Sequence, residues 1–423
     1  MGSRGTLRKW KRAATRILDL AARPVRTAHG KRGIVLQPYR GYGSREEVFL
    51  IGRVFRQSRT EHGGGEDDLA GHLRDIGRRI VRRSVADATV RARFGGAEQR
   101  TVTDRDGYFR IHLKVRELAP SDDCWHDMDL ELEQPEPVTA TAQVFIPPRH
   151  CRHVVISDID DTVMFTGVAG KLKMMWRLFV QDAENRVAFP GVAELYRAMH
   201  AGPSGRESNP MLYVSRAPWG IYDVLDEFFQ MHNIPVGPML FLREWGVTWK
   251  SPLPRKAEDH KRELIGNMLA LYKDLPFVLI GDSGQHDPEV YRQIVDEHPG
   301  RVTAVYIRNV SRDETRIREI EDLAKAVTAA GSGMVLATDS LAIANHAAGL
   351  GLIDRQAPAR VSAEIDAEGA TASKIPARKV ARRDLRDAVM GGDGSAAGNG
   401  GDAPSVVIGA DNEIAGTERR DSR

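Results

Sequence analysis

The chain has 423 residues, more than one ordinary domain needs, and a net charge of only +3. That balance argues against nucleic-acid binding, and having only two cysteines, Cys124 and Cys151, argues against a disulfide framework and for a reducing compartment. No apolar run approaches the ~20 residues needed to cross a bilayer, and the N-terminus lacks the continuous apolar core of a secretory signal. The expected location is cytoplasmic, with peripheral contact at a membrane surface left open.

Residues 5 to 26 read as a basic amphipathic helix within a leader spanning residues 1–29. Leu7, Trp10, Ala14, Ile17, Leu18 and Ala21 recur at helical spacing, Arg8, Lys9, Lys11, Arg12 and Arg16 fill much of the remainder, and Pro24 ends it. A solvated leader is the alternative to membrane contact. Residues 30–148 differ. Glu47 to Phe55, Ala86 to Phe94, Arg100 to Thr103, Tyr108 to Val115 and Val138 to Ile146 are strand-like, rich in Val, Ile, Phe and Thr in partial alternation. Asp106-Gly107 signals a hairpin turn between two of them. One helix is expected from Asp67 to Arg83, with Leu69, Leu73, Ile76 and Ile80 on one face. The region is expected to be a small β-sandwich-like domain.

The pattern changes after Pro147-Pro148. Apolar runs at Val154 to Ser157, Met211 to Val214, Met239 to Leu242, Phe277 to Ile280, Val302 to Ile307 and Met334 to Leu336 read as buried strands. Helical stretches fit between them near 190–201, 219–232, 256–273, 288–297 and 312–330. Buried strands alternating with helices predict an α/β domain over residues 149–354, built on a doubly wound parallel sheet. Residues 355–423, rich in Ala, Gly, Asp, Ser and Arg, are expected to form a disordered tail.

In an open parallel sheet the site lies beyond the carboxyl ends of the strands, and four features of the sequence fall there. Asp158-Ile159-Asp160-Asp161-Thr162 follows the first strand. Two carboxylates two residues apart can share one pocket, Asp158 to attack phosphorus and Asp160 to protonate the leaving oxygen and later activate water. An acidic turn capping a helix is the plainer alternative. Ser215 follows the second strand, where its hydroxyl could hold a phosphoryl oxygen or simply cap a helix. Lys261 opens the helix near 256–273 and could neutralise charge on the phosphoaspartate, with Lys250 and Lys256 as competitors. Gly281-Asp282-Ser283-Gly284-Gln285-His286-Asp287 follows the strand at Phe277. Asp282 is placed to hold a hard cation such as Mg²⁺ opposite Asp158, and Asp287 to join the metal set or to orient Lys261.

The order Asp-x-Asp-x-Thr, Ser, Lys, Gly-Asp resembles the four motifs of the haloacid dehalogenase-like superfamily. An acid at Asp160 is what the phosphatases of that superfamily carry. From about 153 to 310 the chain further resembles the catalytic-domain family of the actin-patch phosphatidate phosphatases. The strings that carry this are Ser157-Asp158-Ile159-Asp160-Asp161-Thr162, Tyr213-Val214-Ser215-Arg216-Ala217-Pro218-Trp219, Gly237-Pro238-Met239-Leu240-Phe241-Leu242-Arg243, His260-Lys261, and Gly281-Asp282-Ser283-Gly284-Gln285-His286-Asp287-Pro288-Glu289. The resemblance implies a haloacid dehalogenase-like Rossmannoid fold and Mg²⁺-dependent removal of phosphate from phosphatidate. It implies catalytic roles for Asp158, Asp160 and Lys261, and substrate contacts from Thr162, Ser215 and Arg216. A metal would be held by Asp158, Asp160 and Asp282, with Asp287 beside them.

Between the first two motifs, Leu172, Met175, Trp176, Phe179 and Val180 lie at helical spacing and are flanked by Lys171, Lys173 and Arg177. This helix could rest on an anionic surface or pack on the sheet. Two other functions stay open: a phosphatase of a soluble sugar or nucleotide ester, and a non-catalytic lipid-binding scaffold, which has no need of both Asp158 and Asp160. No nucleic-acid partner is expected.

Overall fold

The computed structural model describes residues 28, 30, 33–56, 83–116, 118–159, 191–215, 219, 222–241, 257–311, 313–373 and 406–408. The expected helices at 5–26, 67–83 and 170–182 lie outside these residues, as do Asp160, Thr162, Arg216, Lys250 and Lys256.

The first half is strand-rich, as expected. It contains β1 (Ile34–Pro38), β2 (Gly41–Gly43), β3 (Glu47–Arg56), β4 (Arg83–Ser84), β5 (Thr89–Phe94), β6 (Ala97–Val102), β7 (Tyr108–Lys114), β8 (Trp125–Gln134) and β9 (Val138–Phe145). All nine join one mixed sheet, antiparallel except where β2 runs parallel to β9. The main path runs β1-β3-β2-β9-β8-β5-β6, and β7 also pairs with β3. Because β6 and β7 also touch, the sheet curls back around a core that includes Leu36, Val54, Val90, Phe109, Leu130 and Val144. The β6–β7 turn is built as its sequence suggests. Asp104 Oδ1 accepts from the Asp106 and Tyr108 amides, and Gly107 sits at φ 79°, where a side chain would be strained.

Sequence patterning missed β8, the long strand at the centre of this sheet. Its stretch Asp127-Met128-Asp129-Leu130-Glu131-Leu132 alternates strictly, but acids are poor strand formers. Here they find arginines on the neighbouring strand, Arg91 against Glu131 and Glu133. Cross-strand pairing offsets the weak propensity.

The second half alternates strands with helices: β10 (Val154–Asp158), α1 (Val192–Ala201), β11 (Met211–Ser215), α2 (Tyr222–Met231), β12 (Met239–Phe241), α3 (Ala257–Leu271), β13 (Phe277–Asp282), α4 (Asp287–Glu297), β14 (Val302–Arg308), α5 (Glu314–Ala329), β15 (Gly333–Ala337), α6 (Ser340–Gly349), α7 (Ala357–Ser373) and β16 (Val406–Ile408). The sheet order is β12-β11-β10-β13-β14-β15-β16, parallel except for the edge strand β16. Helices cover both faces, α1, α2, α6 and α7 on one and α3, α4 and α5 on the other. The chain leaves β10 outward through β11 and β12, then returns to β13 on the other side. In open parallel sheets a reversal of this kind marks the crevice where ligands bind, and here it falls at the carboxyl ends of β10 and β13.

Residues 357–373 correct the expectation of a disordered tail from 355 onward. They form α7, in which Ala357 and Val361 are buried against the domain core. Glu364 accepts from the Glu194 amide at the start of α1 and pairs with Arg197, and Arg360 pairs with Glu194. An Ala- and Gly-rich composition hides this helix, because small residues bury little area yet pack closely.

Candidate active site

Five strands of the parallel sheet read as uninterrupted apolar runs because both faces are covered, and polar residues reappear where each run ends. Asp158 is the last residue of β10, Ser215 of β11 and Asp282 of β13. Ser157 pairs with Ile280 on one side and Asp158 with Val214 on the other, so the three side chains rise from neighbouring strands at one edge of the sheet. All three are buried, with Asp282 1 % exposed.

Lys261 reaches this edge from the second turn of α3. It is 2 % exposed, and its Nζ lies 3.0 Å from Asp158 Oδ1 and donates to Asp287 Oδ1. Burial alone would favour the neutral amine, but Asp158 and Asp287 outweigh it and hold the ammonium above its usual range. It therefore stays charged at any physiological pH. Tyr291 on α4 lies beneath, its ring centroid 5.9 Å from Lys261 Nζ and its hydroxyl donating to the Ile280 carbonyl.

Asp287 opens α4 and has both oxygens engaged. Oδ1 accepts from Lys261, and Oδ2 accepts from the Asp282 amide at 3.2 Å. This close approach needs Gly281: a Cβ there would lie 2.3 Å from Asp287 Oδ2. Of the two roles open to Asp287, these contacts favour orienting Lys261. Asp282 Oδ1 accepts from the Gly284 amide at 2.8 Å, which fixes its rotamer.

Carboxylate oxygens of Asp158, Asp282 and Asp287 all lie within 4.8 Å of one another. Three buried acids face Lys261, with Arg308 the other buried cation nearby, its Nε 3.5 Å from the Gly281 carbonyl. Among the described residues the cluster thus keeps a net negative charge, which is costly in a dry site without a further cation. An all-oxygen donor set suits a hard ion such as Mg²⁺.

Sequence patterning missed the residues that hold the loop after β13. Arg316 on α5 donates to the Ser283 and Gln285 carbonyls and pairs with both oxygens of Glu289. Ser283 Oγ accepts from the Val310 and Ser311 amides and so ties the loops after β13 and β14 together. An arginine on a later helix carries no local signal for this. Asp160, Thr162 and Arg216 lie outside the described residues.

Residues 153–309 match the family described as "Phosphatidate phosphatase APP1, catalytic domain". Phosphatidate phosphatase APP1 of Saccharomyces cerevisiae is 33% identical over 155 residues, which is 36% of this chain and 25% of that protein. An uncharacterised protein of Schizosaccharomyces pombe is 28% identical over 159 residues, 38% of this chain and 25% of that one. The chain thus matches about a quarter of the length of these two relatives. A solved carbohydrate acetylesterase from Xanthomonas citri aligns with 67% of this chain and 71% of its own, at 8% identity and a TM-score of 0.22, too weak a likeness to bear on either fold or function. The segment 153–309 is therefore similar to the phosphatidate phosphatase APP1 catalytic domain, the family its motifs resemble.

Proposed function

We propose that the chain is a Mg²⁺-dependent phosphatidate phosphatase-like hydrolase with a doubly wound, haloacid dehalogenase-like domain, working through a phosphoaspartate on Asp158. The observation that carries this reading is the buried cluster of Asp158, Lys261, Asp282 and Asp287 at the crevice between β10 and β13, inside the segment similar to the family's catalytic domain.

Asp158 attacks phosphorus, an O–P bond forms, and the bond to the leaving glycerol oxygen breaks. Asp160 gives that oxygen its proton. Asp160 then takes a proton from water, whose oxygen attacks phosphorus and releases inorganic phosphate and free Asp158. Lys261, held by Asp287, pairs with the Asp158 carboxylate, keeps it in place, and offsets charge as it is phosphorylated. Ser215, Thr162 and Arg216 bind the phosphoryl oxygens. Asp158, Asp282 and the Asp160 carbonyl would hold Mg²⁺, whose charge lowers the cost of assembling anionic oxygens.

A lipid substrate implies meeting a membrane surface. Among the described residues no helix is long and apolar enough to cross a membrane, so that contact is peripheral, through the basic amphipathic stretches at 5–26 and 170–182. Phosphate release should be measured on dispersed phosphatidate beside sugar and nucleotide monophosphates, with Mg²⁺ and with chelator. Release from phosphatidate that requires Mg²⁺ is expected. Preference for a soluble ester would refute the lipid substrate, and full activity in chelator would refute the role given to Asp282.

A further inference from the structure

One of the places where the β-rich sheet meets the parallel-sheet domain is at Trp219 and Tyr222, which follow β11. Tyr39, between β1 and β2, is tied to its own sheet by a hydrogen bond from its backbone amide to the Ile51 carbonyl at 2.9 Å. Its ring stacks on Trp219, with centroids 4.6 Å apart and planes 15° from parallel, and meets Tyr222 at 4.4 Å. Trp219 in turn packs on Phe241 at the end of β12, with centroids 4.5 Å apart. Next along the chain, Arg40 donates its amide to the Tyr222 hydroxyl at 3.0 Å and pairs through its guanidinium with Asp226 on α2. Gln37 of β1 donates to Asp223. Tyr39, Trp219 and Tyr222 are all buried and belong to the core that also contains Tyr213 of β11.

These contacts converge just after Ser215, the residue to which the proposed function gives a phosphoryl oxygen. Trp219 is four residues past it, and Tyr222 begins α2. Trp219 and Tyr222 are thus packed against a surface supplied by the other sheet.

We propose that Tyr39 and Arg40 are positioning residues for the site: through them the β-rich sheet anchors Trp219 and Tyr222 at the entry to α2, and so holds the carboxyl end of β11, with Ser215, in register with Asp158. The catalytic role of Ser215 rests on the proposed function; the clamp itself does not. The domain of residues 30–148 is then a working part of the active site, and the segment 153–309 alone lacks its full support.

The test combines hydrogen exchange with kinetics on the full chain. In Tyr39→Ala, backbone amides from Ser215 to Tyr222 should exchange about tenfold faster, while those of β10 and β13 stay protected. Arg40→Ala should act in the same place and less strongly, Tyr39→Phe should stay near wild type because it keeps the ring, and Lys273→Ala, which removes the pairing with Glu46 elsewhere, should change nothing. On p-nitrophenyl phosphate with Mg²⁺, Tyr39→Ala should raise KM about tenfold with a smaller fall in kcat, since misplacement of a binding group weakens capture first. Unchanged exchange between Ser215 and Tyr222 in both alanine variants would overturn the proposal. So would a rise spread evenly over β10, β13 and this turn in both, because the contacts would then serve general stability. If wild type turns over no phosphoester, the proposed function fails, and the exchange pattern alone decides the clamp.

Discussion

The two ends of the parallel sheet bury polar groups in opposite ways. At the amino end, beside the start of β10, the Arg152 and His153 amides both donate to Asn209 Oδ1, and the Asn209 side-chain amide donates to the Met199 carbonyl and to Glu207. Burial pushes the His153 imidazole down to about 4 and lowers that of His200, so both stay neutral. At the carboxyl end, Asp158, Asp282 and Asp287 crowd around one buried ammonium. At the amino end the buried carboxylate of Glu207 is met by Arg152, whereas charges gathered without full compensation, as at the carboxyl end, cost a great deal. Gathered charge of that kind is the pattern expected of a functional site.

The largest effect should come from removing the charge of Asp158, the nucleophile of the proposed reaction. Asp158→Asn nearly keeps the shape and should lower turnover at least ~10²-fold, the lower bound for losing a group in the chemical step. A steady-state rate above about a hundredth of wild type would remove Asp158 from the role of nucleophile.

Next comes the cost of unbalancing the charged end. Lys261→Met leaves buried carboxylates facing one another, and the loss of one partner of such a set costs about 3–5 kcal/mol. Urea denaturation should show that loss, and it should shrink when Mg²⁺ is present, because a cation bound to the folded state stabilises it. If Mg²⁺ makes no difference to either protein, the oxygen cluster does not hold it.

The neutral end should respond to pH instead. The folded-state pKa of His153 lies below its unfolded value near 6.5, so its contribution is complete above that pH and is lost as pH falls from about 6.5 to about 4. The full span is worth roughly 3 kcal/mol at most. The thermal midpoint should therefore drop over this window, and His153→Gln should flatten the slope. An equal slope in the variant would assign the acid sensitivity elsewhere.

The smallest effect should come from the β-rich sheet, where ion pairs lie on the outer face. Arg100 pairs with Glu133 at 3.2 Å while more than half exposed. Arg100→Gln should change the unfolding free energy by less than about 1 kcal/mol. A larger loss would mean that this face is not open to solvent.

Much of the site was legible in sequence because its chemistry sits where apolar runs stop. The runs ending at Asp158, Ser215 and Asp282 announce both the strand and the residue at its end, and among the described residues Lys261 reaches Asp158. What stayed hidden depends on partners far away in sequence. The strand β8 needed the arginines of β5, α7 needed the surface of α1, and Arg316 and Tyr39 act through contacts that no local pattern encodes. The sequence leaves Asp287 two roles, and its contacts with Lys261 and the Asp282 amide come from parts of the chain that no local pattern brings together.

The adjacency of β10 and β13 has a consequence for how the protein folds. These strands are neighbours in the sheet, yet β11, α1, α2, β12 and α3 all lie between them in the chain. Closing so long a loop is a slow step for parallel pairing. Until it closes, Asp158 and Asp282 belong to separate pieces of chain, and neither can collect the other's charge. Affinity for a divalent cation should thus appear late in refolding, together with the last protected amides of β10 and β13, and a stopped-flow trace of metal uptake would report completion of the sheet itself.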